Sequence, residues 1–253
     1  MTGVELVVVG VAAVVAGAVN ALAGGGTLLT FPVLLAVGVP ALAANITNTV
    51  ALCPGYLGGA LAQAQRLRGE RRRLHVFGLA GALGGLGGGL LLLRSGQATF
   101  RVLVPYLILV AAGLLAAEAP VRRWQERRNL PSPGRLVPSV WKALPVFLAS
   151  IYGGYFGAGL SVIVLAVLAL VSNESLTRLN ALKQVISLCA NVAAALLFFF
   201  SGKIVWPAAV VMALGALAGG GIGGLLADRV PPQVLRRIVV VFGVVVAVIY
   251  FVR

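Results

Sequence analysis

VVAGAVNALAGGGTLLTFPVLLAVGVPALAANITNTVALCPGYLGGAL, residues 14–61, is the stretch on which the fold turns. It is apolar enough for a lipid bilayer, yet Gly24-Gly25-Gly26, Pro32, Gly38-Val39-Pro40 and Pro54-Gly55 interrupt it repeatedly. In hydrocarbon a free backbone N–H or C=O finds no water, so such breaks persist only where protein or a wet cavity satisfies the exposed groups. A looser copy of the stretch lies at 147–195. Broken segments at matching places in two halves of a chain point to a transporter's binding site.

Outward from this stretch the same character continues. Of 253 residues, 60% are hydrophobic and 10% charged, and the mean hydropathy is +1.04. A soluble globular domain could not hide so much apolar surface. Runs near the roughly 20 residues a spanning helix needs recur at 4–23, 42–62, 74–93, 102–119, 179–200, 205–227 and 234–252, with shorter ones at 28–37, 146–156 and 160–171. The first run has no basic lead, carries Glu5 and continues past any cleavage site, so it reads as mature sequence. Cys53 and Cys189 fall inside apolar runs, where a thiol acts as a small hydrophobe and no disulfide is implied.

The net charge of +14 would suggest nucleic acid in a soluble protein. Here the charge is confined to short loops, which is the mark of membrane insertion and not of a nucleic-acid partner. If both interrupted hairpins return to the side they left, and 66–73 is cytoplasmic, fifteen of the 20 basic residues fall on the cytoplasmic side: those of 66–73 and 122–142, Arg178, and those of 229–237. Arg94, Arg101, Lys203 and Arg253 fall outside, and Lys183 lies within a helix. The asymmetry predicts both termini outside.

The second half restates the order of the first. Gly153-Gly154-Tyr155-Phe156-Gly157-Ala158-Gly159 stands where 20–26 stood, Asn180-Ala181-Leu182-Lys183 stands for Asn45-Ile46-Thr47-Asn48, and Gly215-Ala216-Leu217 matches Gly81-Ala82-Leu83. Each half holds five membrane segments, and an odd number sets the second upside down relative to the first. The expected fold is an all-α polytopic membrane protein of two inverted repeats, at 1–119 and 143–253, with broken or short helical hairpins at 24–26 and 157–159. A basic cytoplasmic linker at 120–142, with Pro131, Pro133 and Pro138, joins them.

No enzyme constellation is present in the sequence. There is one histidine, no Cys/His metal spacing, and six acidic residues, four of them in loops or at helix ends. No cofactor or metal is expected. Glu5, Glu118 and His75 all sit near interfaces, so a proton relay is not evident, and a coupling proton or ion is left open. What the chain offers is neutral donors and one cation beside two broken corners whose helix N-termini carry partial positive charge. Such a site suits a small anionic substrate. The candidate residues are Asn20, Gly24, Gly25, Gly26, Thr27, Asn45, Thr47, Asn48, Gly157, Gly159, Ser161, Asn180 and Lys183. For the amides and hydroxyls the competing reading is interhelical hydrogen bonding, and for Lys183 it is snorkelling to an interface. For the glycines it is a tight hairpin with no ligand.

These features together resemble the TauE/SafE sulfite exporter family: the glycine triplet and its apolar arm to Pro32, the Gly38-x-Pro40 turn, Ala44-Asn45-x-Thr47-Asn48, Pro54-Gly55, and Asn180-x-x-Lys183. The resemblance spans nearly the whole chain. It implies export of sulfite, sulfonates such as sulfoacetate, or other small anions across the bacterial cytoplasmic membrane. Alternating access about a midplane site is then the expected mechanism. A passive anion channel and a membrane scaffold without transport are the rivals. Beyond substrate and lipid bilayer, a homo-oligomer is a partner the sequence allows.

Overall fold

The computed structural model describes residues 1–22, 25–67, 69–127, 140–172, 174–226 and 232–252. Among them every regular element is helical: α1 (Gly3–Leu22), α2 (Thr27–Ala36), α3 (Ala41–Ala62), a 3₁₀ turn (Ala64–Leu67), α4 (Arg71–Arg127), α5 (Val140–Tyr155), α6 (Leu160–Val171), α7 (Leu176–Phe199), α8 (Trp206–Leu226) and α9 (Pro232–Val252). Helices satisfy every backbone group within the segment, as hydrocarbon demands. The segments Gly3–Asn20, Arg71–Ala117 and Arg178–Phe199 are long and apolar enough to cross a membrane, and shorter apolar helices lie at Thr27–Ala36, Leu160–Val171, Trp206–Ile222 and Arg237–Ile249. The protein is a multi-pass membrane protein.

Two boundaries differ from the sequence reading. The runs 74–93 and 102–119 belong to one helical path, α4, broken only where Gly96 adopts φ 72, ψ 174. A positive φ is open to glycine without a Cβ penalty, so the chain changes direction there with no loop, and α4 has a first and a second arm. The second arm also continues beyond Pro120 to Arg127, which makes the start of the expected linker helical, while 128–139 lie outside the described residues.

Elsewhere the punctuation acts as written. α2 ends in a Schellman turn: the Gly38 N–H donates to Leu35 O and the Val39 N–H to Leu34 O, both at 3.0 Å. Pro40 follows and caps α3. α2 is therefore a ten-residue arm, about 15 Å at 1.5 Å per residue.

Packing pairs the elements in matched sets. α1 runs along α8, and the first arm of α4 runs along α5. α3 meets α7 and α8, and α7 also meets α4. Glycine makes both long seams close: a Cβ on Gly219 would strike the Val14 carbonyl, and one on Gly88 would strike the Ile151 carbonyl. Small residues let helix backbones approach, which is how helices associate where lipid removes the hydrophobic drive. The outer faces stay apolar, as at Val102, Leu196, Leu214 and Val241, each more than half exposed and suited to lipid.

Candidate functional site

Both helix breaks lie in the interior. At the first, α1 stops at Leu22, Gly25 has φ 86, and α2 starts at Thr27; Gly24 lies outside the described residues. The Gly26 N–H donates to Asn20 Oδ1 at 2.8 Å, so the last turn of α1 satisfies a donor that the break exposes. At the second, α5 stops at Tyr155, Gly157 and Gly159 have φ 76 and 78, and α6 starts at Leu160. Thr27, Gly157 and Gly159 are buried.

A cavity of about 430 Å³ lies between the two corners. Asn20 of α1, Tyr56 and Gln63 of α3, Ser161 at the start of α6, and Lys183 and Gln184 of α7 supply its polar wall. Gly17, Gly55, Gly58, Gly59, Gly220 and Gly221 supply much of the rest, and the lack of side chains there leaves the space open. The cavity extends to Gln63, the C-cap of α3, and so toward the end of the molecule that carries the arginine-rich turn. Tyr56 and Ser161 line it from α3 and from the start of α6.

Lys183 is half-buried, two turns into α7, and carries the only formal charge among the described lining residues. Around it stand amides, hydroxyls and the N-terminal end of α6, whose partial positive charge favours an anion. The arrangement can hold an anion by one charge-assisted contact and several neutral ones.

Of the residues singled out in the sequence, Asn20, Ser161 and Lys183 come together in this cavity. Asn45, Thr47 and Asn48 are fully buried and engaged elsewhere. Asn48 Oδ1 accepts from the Thr30 hydroxyl, Thr47 Oγ1 accepts from the Val205 N–H at 3.0 Å, and Asn45 Nδ2 donates to Tyr155 O at 2.9 Å. These bonds tie α3 to α2, to the approach of α8 and to the end of α5. Asn180 is half-buried and outside the described lining. The sequence reading passed over Tyr56, Gln63 and Gln184 as leading candidates. Tyr56 carried a usable signal, since a tyrosine in an apolar run needs a partner for its hydroxyl.

A larger cleft of about 880 Å³ lies between α2, the second arm of α4, and α9. Its walls include Val102, Tyr106 and Ile249, which are 68%, 56% and 47% exposed, together with Gln97 and Arg101, so it is an open surface groove.

Comparison with known proteins agrees with this architecture. The family described as "Sulfite exporter TauE/SafE" matches over residues 9–250. A "Probable membrane transporter protein" of Haemophilus influenzae is 28% identical over 229 residues, covering 90% of this chain and 88% of its own. A "Probable membrane transporter protein ORF9" of Sinorhizobium sp is 25% identical, covering 94% and 89%. The "Probable membrane transporter protein YfcA" of Escherichia coli K12 is 23% identical, covering 93% and 85%. The chain belongs to the TauE/SafE sulfite exporter family of membrane transporters.

Proposed function

We propose that the protein is a secondary transporter that exports small sulfur-containing oxyanions and binds them in the 430 Å³ cavity. The observation that carries this reading is the convergence there of Lys183, Asn20, Tyr56 and Ser161, at two broken helices from different halves of the chain. Lys183 is the counter-charge, Asn20, Gln63 and Gln184 are amide partners, and Ser161 presents a hydroxyl at the positive end of α6. The volume lies within the roughly 300–1,000 Å³ range of sites that take whole small organic molecules. A bare sulfite would leave most of it to water, so the size favours organosulfonates over sulfite.

The mechanism we assign is alternating access between two inverted repeats, 1–119 and 143–253, joined by a basic segment, with both termini outside the cytoplasmic membrane. Its support is the matched pairing of α1 with α8 and of the first arm of α4 with α5. Beside the two breaks, aromatic side chains pack against one another. Phe31 of α2 stands 5.3 Å from Phe156 and 6.4 Å from Phe100, ring centre to ring centre, and the Tyr155 hydroxyl donates to Ser95 at 3.2 Å. An anion would leave this state toward the arginine-rich end, and opening the other way requires the aromatic contacts to part.

Flux into proteoliposomes tests the reading. Uptake of a labelled sulfonate should saturate, and unlabelled sulfonate on the opposite side should accelerate it. Flux that rises linearly with concentration, without acceleration, would identify a channel instead.

A further inference from the structure

The second broken corner has two ends of opposite polarity, and the cavity uses only one. The N-terminal end of α6 adjoins Ser161 and the anion cavity. The C-terminal end of α5, at Tyr155, carries the partial negative charge of its last carbonyls. That end faces α3, where the Tyr155 carbonyl accepts from Asn45 Nδ2 at 2.9 Å.

The bond fixes the Asn45 amide, because reversing it would set Oδ1 against the Tyr155 carbonyl. Asn45 is 0% exposed, and no donor among the described residues reaches its Oδ1. A buried acceptor with no partner is costly. One turn on, Thr49 is also buried and packs beside the corner: a Cβ built on Gly157 would lie 3.8 Å from Thr49 Oγ1. The Thr49 hydroxyl proton goes to Asn45 O at 3.0 Å, which leaves the lone pairs of Oγ1 as acceptors.

We infer that Asn45 Oδ1, Thr49 Oγ1 and carbonyl oxygens at the end of α5 form a binding site for a small monovalent cation, distinct from the anion cavity. Every group named is an oxygen acceptor, and the negative end of a half-helix points among them. Unwound carbonyls and half-helix C-termini at a broken helix are suited to alkali cations. Neither α3 nor the chain from 140 to 171 holds an acidic residue, so the site has no net negative charge. A divalent ion would face a far larger uncompensated desolvation cost there. The coupling role of the site rests on the transporter reading, but cation binding does not.

The test is the thermal midpoint of the full-length purified protein, titrated with NaCl against choline chloride at constant ionic strength and with no sulfur anion present. Na⁺ should raise the midpoint saturably, by mass action. Asn45→Leu and Thr49→Val should each abolish the rise, whereas Asn45→Asp should keep it and reach saturation at lower Na⁺, because a carboxylate adds the missing charge. The Asn45→Asp response separates ligation from a structural role, and Thr49→Val covers the case in which Asn45→Leu does not fold. Superimposed Na⁺ and choline curves for the native protein would overturn the inference, as would an undiminished Na⁺ response in Thr49→Val. Since sulfonate is absent throughout, failure here leaves the anion reading standing, and success does not depend on it.

Discussion

Asn48 and Thr30 are buried to 1% exposure each and bonded to one another between α3 and α2. Thr30→Val strands Asn48 Oδ1, whereas Asn48→Ala leaves the Thr30 hydroxyl a second acceptor, Gly26 O at 3.3 Å. Thr30→Val should therefore destabilise by about 1–3 kcal/mol, and the double change Thr30→Val with Asn48→Leu should recover much of the loss, as a double-mutant cycle by thermal melts will report. The pair also shows what was legible in the sequence. Asn45, Thr47 and Asn48 stood out because amides are costly in an apolar run, and the structure accounts for all three in specific bonds. Which neighbour each one meets depends on helix rotation and on contacts over a hundred residues away, as with Tyr155 and Val205. Spacing along the chain carries no such information. Gly38-Val39-Pro40, by contrast, was read correctly as a stop because its chemistry is entirely local.

At the scale of the element, two features decide stability. The glycine seams are the first. Gly88→Ala would push a methyl group into the Ile151 backbone and force α4 away from α5. Such overpacking costs about 1–3 kcal/mol, so the midpoint should fall, while Gly220→Ala, with nothing within 4 Å of the added carbon, should leave it almost unchanged.

The second is the ion cluster joining the starts of α4 and α7. Arg73 lies 2.8 Å from Glu174 and 3.3 Å from Glu70, and Arg178 lies 2.9 Å from Glu174. Burial alone would raise the Glu174 carboxyl, but Arg73 and Arg178 outweigh it and hold the group below its ordinary value of 4.5. A carboxyl held low in the folded state adds stability above its ordinary value and loses it as pH falls through the folded one. The cluster should thus stabilise fully at neutral pH and weaken in acid. Glu174→Gln should cost about 2 kcal/mol at pH 7, within the range for a hydrogen bond to a charged group, and the gap to the native protein should close as melts are taken to lower pH. The sequence placed these four residues in loops and at helix ends but gave no sign that 70–73 and 174–178 meet. The break at Gly96 falls inside the polar stretch 94–101 that separates the runs 74–93 and 102–119 in the sequence; spacing along the chain does not show that the helical path continues through it without a loop, one backbone angle doing the turning.

For the molecule as a whole, the sequence carried the membrane class, the two corners and the family, because each follows from composition or from ordered motifs. It did not carry the cavity. Tyr56, Gln63 and Gln184 join Asn20, Ser161 and Lys183 only once five helices have packed, and the space between them exists because glycines on α1, α3 and α8 leave it.

The measurement that bears most directly on the central claim is ligand-induced thermal stabilisation of the purified protein by sulfoacetate, sulfite, acetate and a neutral control, with Lys183→Gln beside it. A sulfur oxyanion should raise the midpoint saturably, sulfoacetate more than sulfite. Lys183→Gln, folded and with a similar midpoint of its own, should need roughly ten times more ligand or more, since a hydrogen bond to a charged group is worth about 1.5–3 kcal/mol. If no anion moves the native protein, or if Lys183→Gln responds as the native protein does, the cavity is not the anion site and the account fails at its centre.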